Sequence, residues 1–331
     1  MKSQLVYWLG QRYAASEGEY LINHARTGIV MALRAALPQG GRVGVVAYNC
    51  HTVANAVEQA GCKPVFVDVT EDLHLDLQQL SCLQLDALVL TNLFGIHNDI
   101  VAIRQVVCNV PIIVDNAHGY GLPLEGDFCV YSINQGKFPS LGEGGLLYVN
   151  NPIYADKIQV QYDSLGGYSM LQEAKLYVAM LLKAIMHMPW IYKTITLRLK
   201  QQRKTAACRE QVILKCMATG INRMYQQALP TIVEEITRQQ RNAQSVALQL
   251  LESQLAERAW YGENAFMLIV QTDKIDQLKN HMASRGIETA THFARAIEWA
   301  REFGYELGTC PVAEKLTQEL LMIPTYKTTK I

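Results

Sequence analysis

Short apolar stretches recur through the first half of the chain, separated by longer segments of mixed polarity. Six of them have the length and composition of β-strands and lie at 42–48, 64–69, 86–92, 111–115, 127–132 and 145–149. Several are apolar at consecutive positions, which is typical of strands covered on both faces of a sheet. They predict a sheet that is buried between two layers.

Segments with helical periodicity lie between some of these strands. Residues 22–37 place Ile29, Leu33 and Leu37 at helical spacing, and 52–60 and 99–107 have similar patterns. Alternation of strands and helices is typical of a mostly parallel α/β sheet. We therefore predict a large α/β domain over residues 1–155.

The second half has a different pattern. Residues 156–256 are predicted to be almost wholly helical, as an insertion. The alternation then resumes, and it predicts strands at 264–272 and 287–292 and helices at 274–285 and 313–321. Residues 257–331 are therefore predicted to form a small C-terminal α+β domain.

Composition narrows the possible functions. The 30 basic and 30 acidic residues cancel, so no electrostatic argument favours nucleic acid as a partner. The eight cysteines contain no C-x-x-C pair and the eight histidines are dispersed, so we expect reduced thiols, a cytoplasmic protein and no metal site.

Chemically active side chains follow two of the predicted strands. Asp115 ends one strand, Ser132 ends the next, and Lys137 follows in a glycine-rich loop. Parallel sheets bind ligands at the carboxyl ends of their strands. A reactive amine, a carboxylate for a pyridine nitrogen and donors for a phosphate are the groups that pyridoxal 5'-phosphate (PLP) requires. The pattern therefore predicts a PLP site.

Each of these residues, taken alone, has a simpler explanation. Asp115 is suited to a turn, a loop lysine such as Lys137 is usually solvated, and His118 is able to bond a neighbouring backbone group. Their occurrence together, in this order, favours the cofactor site.

The segments SINQGKFPSLGEGG and VDNAHGYG resemble motifs of the DegT/StrS family of PLP-dependent aminotransferases, which includes nucleotide-sugar aminotransferases. The resemblance extends from about residue 20 to 326 and is weak over about 155–215. It implies a fold-type I PLP-transferase whose large domain, 1–155, binds the cofactor. It also implies a Schiff base on Lys137, Ser132 at the phosphate, Asp115 at the pyridine nitrogen and His118 near the ring hydroxyl.

Other segments extend the resemblance. HARTGIVMAL is similar to the family's phosphate-binding opening, which implies Thr27 and Gly28. The position where many members stack an aromatic ring on the cofactor falls at Cys50, beside His51, so either residue is a candidate for the ring face.

GINRMYQQA resembles the segment through which a partner subunit reaches the phosphate. It implies a homodimer with shared active sites and a phosphate contact from Asn222, within the 156–256 segment. The register is ambiguous by one residue. Arg223 is either a ligand for the donor carboxylate or a solvated surface residue. The resemblance also implies that Glu143 and His292 contact substrate.

The resemblance implies an aminotransferase that moves an amino group from an amino acid, with glutamate the expected donor, to a keto-sugar nucleotide used in polysaccharide biosynthesis. One alternative is a PLP-dependent sugar dehydratase, although such relatives replace the lysine with histidine and Lys137 argues against it. Another is a non-catalytic PLP-binding regulatory protein. A hydride-transfer enzyme is disfavoured because no G-x-G-x-x-G follows the first strand.

Residues 176–204 combine an apolar stretch, interrupted by Pro189, with a basic run. The apolar part is too short and too broken for a membrane span. We interpret it as a helix buried against the sheet or a dimer partner. A peripheral contact with an anionic membrane is the alternative.

Overall fold

The computed structural model describes residues 18–186, 209–285, 287 and 289–326. Its main feature is a seven-stranded sheet with the order β1-β7-β6-β5-β4-β2-β3. The strands are β1 (Glu19–Ile22), β2 (Arg42–Val46), β3 (Lys63–Val67), β4 (Ala87–Thr91), β5 (Ile112–Asn116), β6 (Phe128–Ser132) and β7 (Gly145–Val149). Strands β2 to β6 pair in parallel, whereas β7 and β1 are antiparallel at one edge. The prediction of a mostly parallel α/β fold is confirmed.

Alternate residues of the central strands point into two separate cores. On β5, Ile113 belongs to the cluster that includes helix α1 (Ala25–Ala36), whereas Ile112 and Val114 belong to the cluster on the opposite face. Strands β4, β5 and β6 are buried along their whole length. The sheet is thus covered on both faces, as the continuous apolar runs predicted.

Further helices flank the sheet and continue the chain. They are α2 (His51–Gln59), α3 (Leu77–Ser81), α4 (Ile100–Val107), α5 (Ala155–Asp163), α6 (Met170–Met186), α7 (Thr219–Ala228) and α8 (Ile232–Glu252). A second, three-stranded antiparallel sheet has the order β10-β9-β8. It is formed by β8 (Arg258–Trp260), β9 (Met267–Gln271) and β10 (Leu320–Pro324), with α9 (Ile275–Ser284), α10 (Ala296–Glu302) and α11 (Pro311–Glu319).

Several predicted boundaries are wrong, and pairing explains each of them. Ile22 does not begin a helix, because it is fully buried and pairs with Gly145 in the sheet edge. The predicted helix at 313–321 ends at Glu319, since the following residues pair with β9. In the predicted strand at 287–292, Ala290 forms a single bridge to Met322.

The 156–256 segment is less uniformly helical than predicted. Within its described residues, 209–218 are not helical, and Cys216 and Lys215 form isolated bridges with Ile22 and Gly166. The division of the chain into units 1–155, 156–256 and 257–331 stays a prediction.

Helix α6 contains the described part of the apolar segment 176–204; residues 187–204 lie outside the described ranges. Its residues Leu176, Tyr177 and Met180 pack partly against the core. None of its residues is buried, and Val178 and Leu182 are more than half exposed. No helix of the described residues is long and apolar enough to cross a membrane.

Candidate active site

The carboxyl ends of β4, β5 and β6 meet at one edge of the sheet. The pairing register places Thr91 of β4 opposite Asp115 of β5. A cavity of about 220 Å³ lies at this edge. Five of the residues predicted from the sequence line it, namely Cys50, Asp115, His118, Ser132 and Lys137. Side chains distant in sequence are thus brought together where parallel sheets bind ligands.

Asp115 is a buried carboxylate with two donors inside the protein. The Ala117 amide donates to its Oδ1 at 2.9 Å and the Thr91 hydroxyl to its Oδ2 at 3.3 Å. Burial raises the pKa of Asp115, while these donors and the charge of Lys137 oppose the shift. A carboxylate in such a place is stabilised by a further cation, and a protonated ring nitrogen supplies one.

Lys137 lies in the loop between β6 and β7, with its Nζ 2.5 Å from Nε2 of His118. Burial lowers the pKa of Lys137, although negative charge on Cys50 or Asp115 acts in the opposite direction. A lowered pKa increases the fraction of unprotonated amine at neutral pH. The geometry therefore presents a nucleophilic amine to the cavity.

The His118 ring is buried and held in one orientation. The Phe94 amide donates to its Nδ1 at 3.4 Å, and the Phe94 ring stacks on it with centroids 5.2 Å apart. Burial, and then the charges of Lys137 and His292, keep the pKa of His118 well below its usual range. With Nδ1 accepting, a neutral ring carries its proton on Nε2 and donates it to the unprotonated Lys137 amine.

Cys50, rather than His51, is the one of this pair that lines the cavity. The Thr52 hydroxyl donates to its Sγ at 3.1 Å. Burial acts to raise the pKa of Cys50, but the hydrogen bonds from His51 and Thr52 and the charge of Lys137 outweigh it and lower the pKa to about 7. The His51 ring instead packs edge-on against Trp299, with centroids 5.1 Å apart.

The start of helix α1 forms another part of the cavity wall. Thr27 and Gly28 do not line it: the Thr27 hydroxyl donates to Asn23 Oδ1 at 2.7 Å, and Gly28 packs against the sheet. A Cβ at Gly28 would lie 2.8 Å from Val130 Cγ1, so only glycine fits. The helix meets the cavity through residues 24–26 instead.

Glu143 and His292 are near the cavity but not on its wall. Glu143 accepts a hydrogen bond from the Tyr168 hydroxyl, and its Oε1 is 3.8 Å from His24 Nε2. Burial and the charge of Lys137 lower the pKa of His292 to about 4. Glu143 thus lies beside His24, and the His292 ring lies edge-on to the His118 ring with centroids 6.2 Å apart.

Asn222 and Arg223 lie on helix α7 and do not line this cavity. Arg223 is exposed, and Asn222 is partly buried and accepts from the Gln226 side chain at 3.4 Å. The site within one chain is thus formed without them.

The cavity is also lined by residues that the sequence motifs do not identify. They include His24, Arg26, Asn49, Thr91, Asn134 and Phe293. Thr91 ends β4, a strand that the sequence predicts, so its place at the carboxyl edge of the sheet could have been inferred from the sequence. Within the described ranges, no group of three or more His, Cys, Asp or Glu side chains is arranged to hold a metal ion.

Comparison with known proteins identifies the class to which this site belongs. Residues 9–330 match the model of the DegT/DnrJ/EryC1/StrS aminotransferase family. The chain therefore belongs to this family of PLP-dependent transferases.

One curated relative is the dTDP-4-amino-4,6-dideoxy-D-glucose transaminase of Shigella dysenteriae, 25% identical over 191 residues. The match covers 54% of this chain and 49% of that protein, so it spans about half the length of the relative.

Solved structures show the same fold at low sequence identity. An aminotransferase of this family from Brucella abortus matches with a TM-score of 0.69 at 17% identity, covering 97% of this chain and 85% of that one. The GDP-4-keto-6-deoxy-D-mannose-3-dehydratase of E. coli, solved with hydrated PLP, matches at 0.65 and 16% identity, covering 97% and 87%. At these identities the likeness concerns the fold alone.

The residues present in the cavity fit PLP, the cofactor of this family. An amine and a buried carboxylate share one cavity with the start of a helix and a serine hydroxyl. The Arg26 Nε atom is buried there without a hydrogen-bond partner, so the site contains a cationic group that a phosphate is suited to satisfy.

Proposed function

We propose that this protein transfers an amino group from an amino acid, with glutamate as the expected donor, to a keto-sugar carried on a nucleotide. The observation that carries the proposal is the presence of the Lys137 amine and the Asp115 carboxylate in one cavity at the carboxyl edge of the sheet. The Shigella dysenteriae transaminase, whose name describes an amino sugar on dTDP, supports this substrate class.

In the proposed reaction PLP supplies the electron sink, and the protein controls charge and protons. Lys137 binds the cofactor covalently and then moves a proton to and from the substrate carbon that carries nitrogen. Asp115 keeps the ring nitrogen protonated. His118 holds the Lys137 amine in position through Nε2.

Ser132 and the start of α1 are proposed to bind the cofactor phosphate, with Thr27 and Gly28 holding that helix against the sheet. We assign Cys50 to the face of the cofactor ring, and Glu143, His292 and Arg223 to substrate binding. The proposed setting is the cytoplasm, in the synthesis of sugars for polysaccharides.

Two alternatives are less well supported. The E. coli dehydratase shares the fold, but the family resemblance implies histidine in such enzymes at the position of Lys137. A non-catalytic PLP-binding protein would also attach the cofactor through an unprotonated Lys137 amine, so turnover with glutamate separates it from an enzyme.

Incubating the purified protein with PLP, glutamate and a panel of keto-sugar nucleotides tests the proposal. We expect glutamate to convert the bound cofactor to its amine form, and one sugar to gain an amino group, seen by mass spectrometry. Conversion with no sugar accepted would contradict the substrate class. A PLP complex that glutamate leaves unchanged would favour the regulatory alternative, and loss of a sugar hydroxyl would favour the dehydratase.

We further propose a homodimer in which Asn222 of each chain reaches the phosphate in its partner's site. The apolar surface of α6 supports an interface, since Met170 is 90% exposed and Leu171 76%. The exposed position of Arg223 on α7 is also consistent with a surface that meets another chain.

Substitution of Asn222 by alanine is expected to weaken PLP binding by roughly 1.5–3 kcal/mol, as for one hydrogen bond to a charged group. Gln227→Ala, an exposed change on the same helix, is the control and should have no effect. Mixing Lys137→Ala with Asn222→Ala chains should restore one intact site per heterodimer at limiting PLP. Sedimentation as a monomer at micromolar concentration would contradict the shared site.

A further inference from the structure

Arg26 is a cationic side chain on the cavity wall that has no anionic partner. Its Nε atom is buried and makes no hydrogen bond. In the part of the chain that the structure describes, no acidic side chain forms an ion pair with it. Arg26 as a whole is only partly buried, but its buried Nε–H has lost hydration without gaining a partner, which is costly. The position therefore favours an anionic ligand.

The groups around Arg26 also favour an anion. Helix α1 begins one residue before it, its cap residue His24 makes no side-chain capping bond, and its first turn contains no acidic residue. The first amides of such a helix attract negative charge. Burial and then the charge of Arg26 lower the pKa of His24, which disfavours a second cation beside Arg26.

The acidic side chain on the cavity wall forms no ion pair with Arg26. Asp115 already accepts from the Ala117 amide and the Thr91 hydroxyl. The cavity thus offers one carboxylate for a cationic ring atom and, separately, one guanidinium for an anion.

We propose that Arg26 binds the phosphate of PLP directly, and that this pair determines how strongly the protein prefers PLP over unphosphorylated pyridoxal. The inference rests on the proposed function. A guanidinium presents two parallel N–H groups, which matches two phosphate oxygens. The Ser132 hydroxyl lines the same cavity and supplies a further donor.

The test compares PLP with pyridoxal in cofactor-free protein, with dissociation constants taken from absorbance titrations at low and high salt. Arg26→Gln should weaken PLP binding by roughly tenfold or more, as expected for loss of a charge-assisted pair, while pyridoxal binding stays the same. The salt dependence of PLP binding should decrease. Arg26→Lys keeps the positive charge but lacks the two parallel N–H groups, so its PLP affinity should lie between those of the wild type and Arg26→Gln.

Arg34→Gln is the matched control on the same helix. Its guanidinium donates to the Gln59 carbonyl at 3.1 Å, on an exposed surface. We expect it to bind both ligands as the wild type does. Thermal unfolding of the cofactor-free form shows whether Arg26→Gln folds. If it does not, the ratio of PLP affinity to pyridoxal affinity is measured in Arg26→Lys instead. A ratio equal to that of the wild type overturns the inference.

Two other results would overturn it. Unchanged PLP affinity in Arg26→Gln, with a raised KM for the sugar nucleotide, would assign Arg26 to the substrate phosphates. An equal loss of PLP and pyridoxal affinity would assign it to the structure of the site. Failure of the proposed function is distinguishable, because wild-type protein would then bind PLP without conversion by glutamate or amination of a sugar, while the comparison of PLP with pyridoxal would still report on Arg26.

Discussion

Replacement of Lys137 by alanine is expected to abolish covalent attachment of PLP and to slow transamination by roughly 10³-fold or more, because one side chain is both nucleophile and proton carrier. Non-covalent binding should persist, since Asp115 and the start of α1 remain in the cavity. The measurement is borohydride reduction followed by peptide mapping, together with the rate of cofactor conversion by glutamate.

Lys157→Ala is the control for this change. The Lys157 amine donates to the Ala35 carbonyl at 3.1 Å and is not on the cavity wall. Its removal should leave attachment and turnover intact. Reduction of PLP onto a lysine other than Lys137 in the wild-type protein would refute the assignment.

The lowered pKa of Lys137 adds a pH dependence to this experiment. Only the unprotonated amine attacks a carbonyl, so attachment should become faster as pH rises through the pKa of the amine. Because burial lowers the pKa of Lys137, the midpoint should lie below that of a solvated lysine. A midpoint equal to that of free lysine would show that the amine is not desolvated in solution.

The parts of the site that could be predicted from the sequence are the residues that directly follow recognisable strands. Asp115 and Ser132 each lie at the carboxyl end of an apolar run, and such runs predict buried parallel strands. Lys137 follows within the same loop. Once two neighbouring strands are recognised, the rule that strand ends meet at one edge brings these side chains together.

Other parts depend on contacts that no local pattern encodes. Phe293 reaches the cavity through a turn in which it has a φ of 62°, and its ring packs edge-on against Tyr48 at 5.6 Å. Strand β8 is only three residues long and is defined by pairing with β9. Arg26 lies on α1 beside Thr27 and Gly28, which face the core. The direction of the Arg26 side chain is therefore set by how α1 packs on the sheet.

Asp115→Asn is expected to fold normally and to lose activity on the order of 100-fold or more, as when a preorganised charge in an active site is removed. An amide has no charge to hold a proton on the ring nitrogen, so the electron sink is weakened. If Asp115 served only as a turn residue, asparagine would be nearly neutral, because both residues suit turns. The comparison of kcat with glutamate for the two proteins, at saturating PLP, decides between these roles.

The same substitution should have the opposite effect on the stability of cofactor-free protein. Burial raises the pKa of Asp115 above its unfolded value, so the folded state binds more protons than the unfolded state between the two pKa values. Stability is therefore lost as pH rises through that window, and the neutral amide removes this loss. We expect cofactor-free Asp115→Asn to unfold at the same or a higher temperature than wild type at pH 7, with a flatter pH profile. A lower unfolding temperature would mean that the Asp115 carboxylate stabilises the fold itself, through Thr91 and Ala117, and is not held ready for a cation.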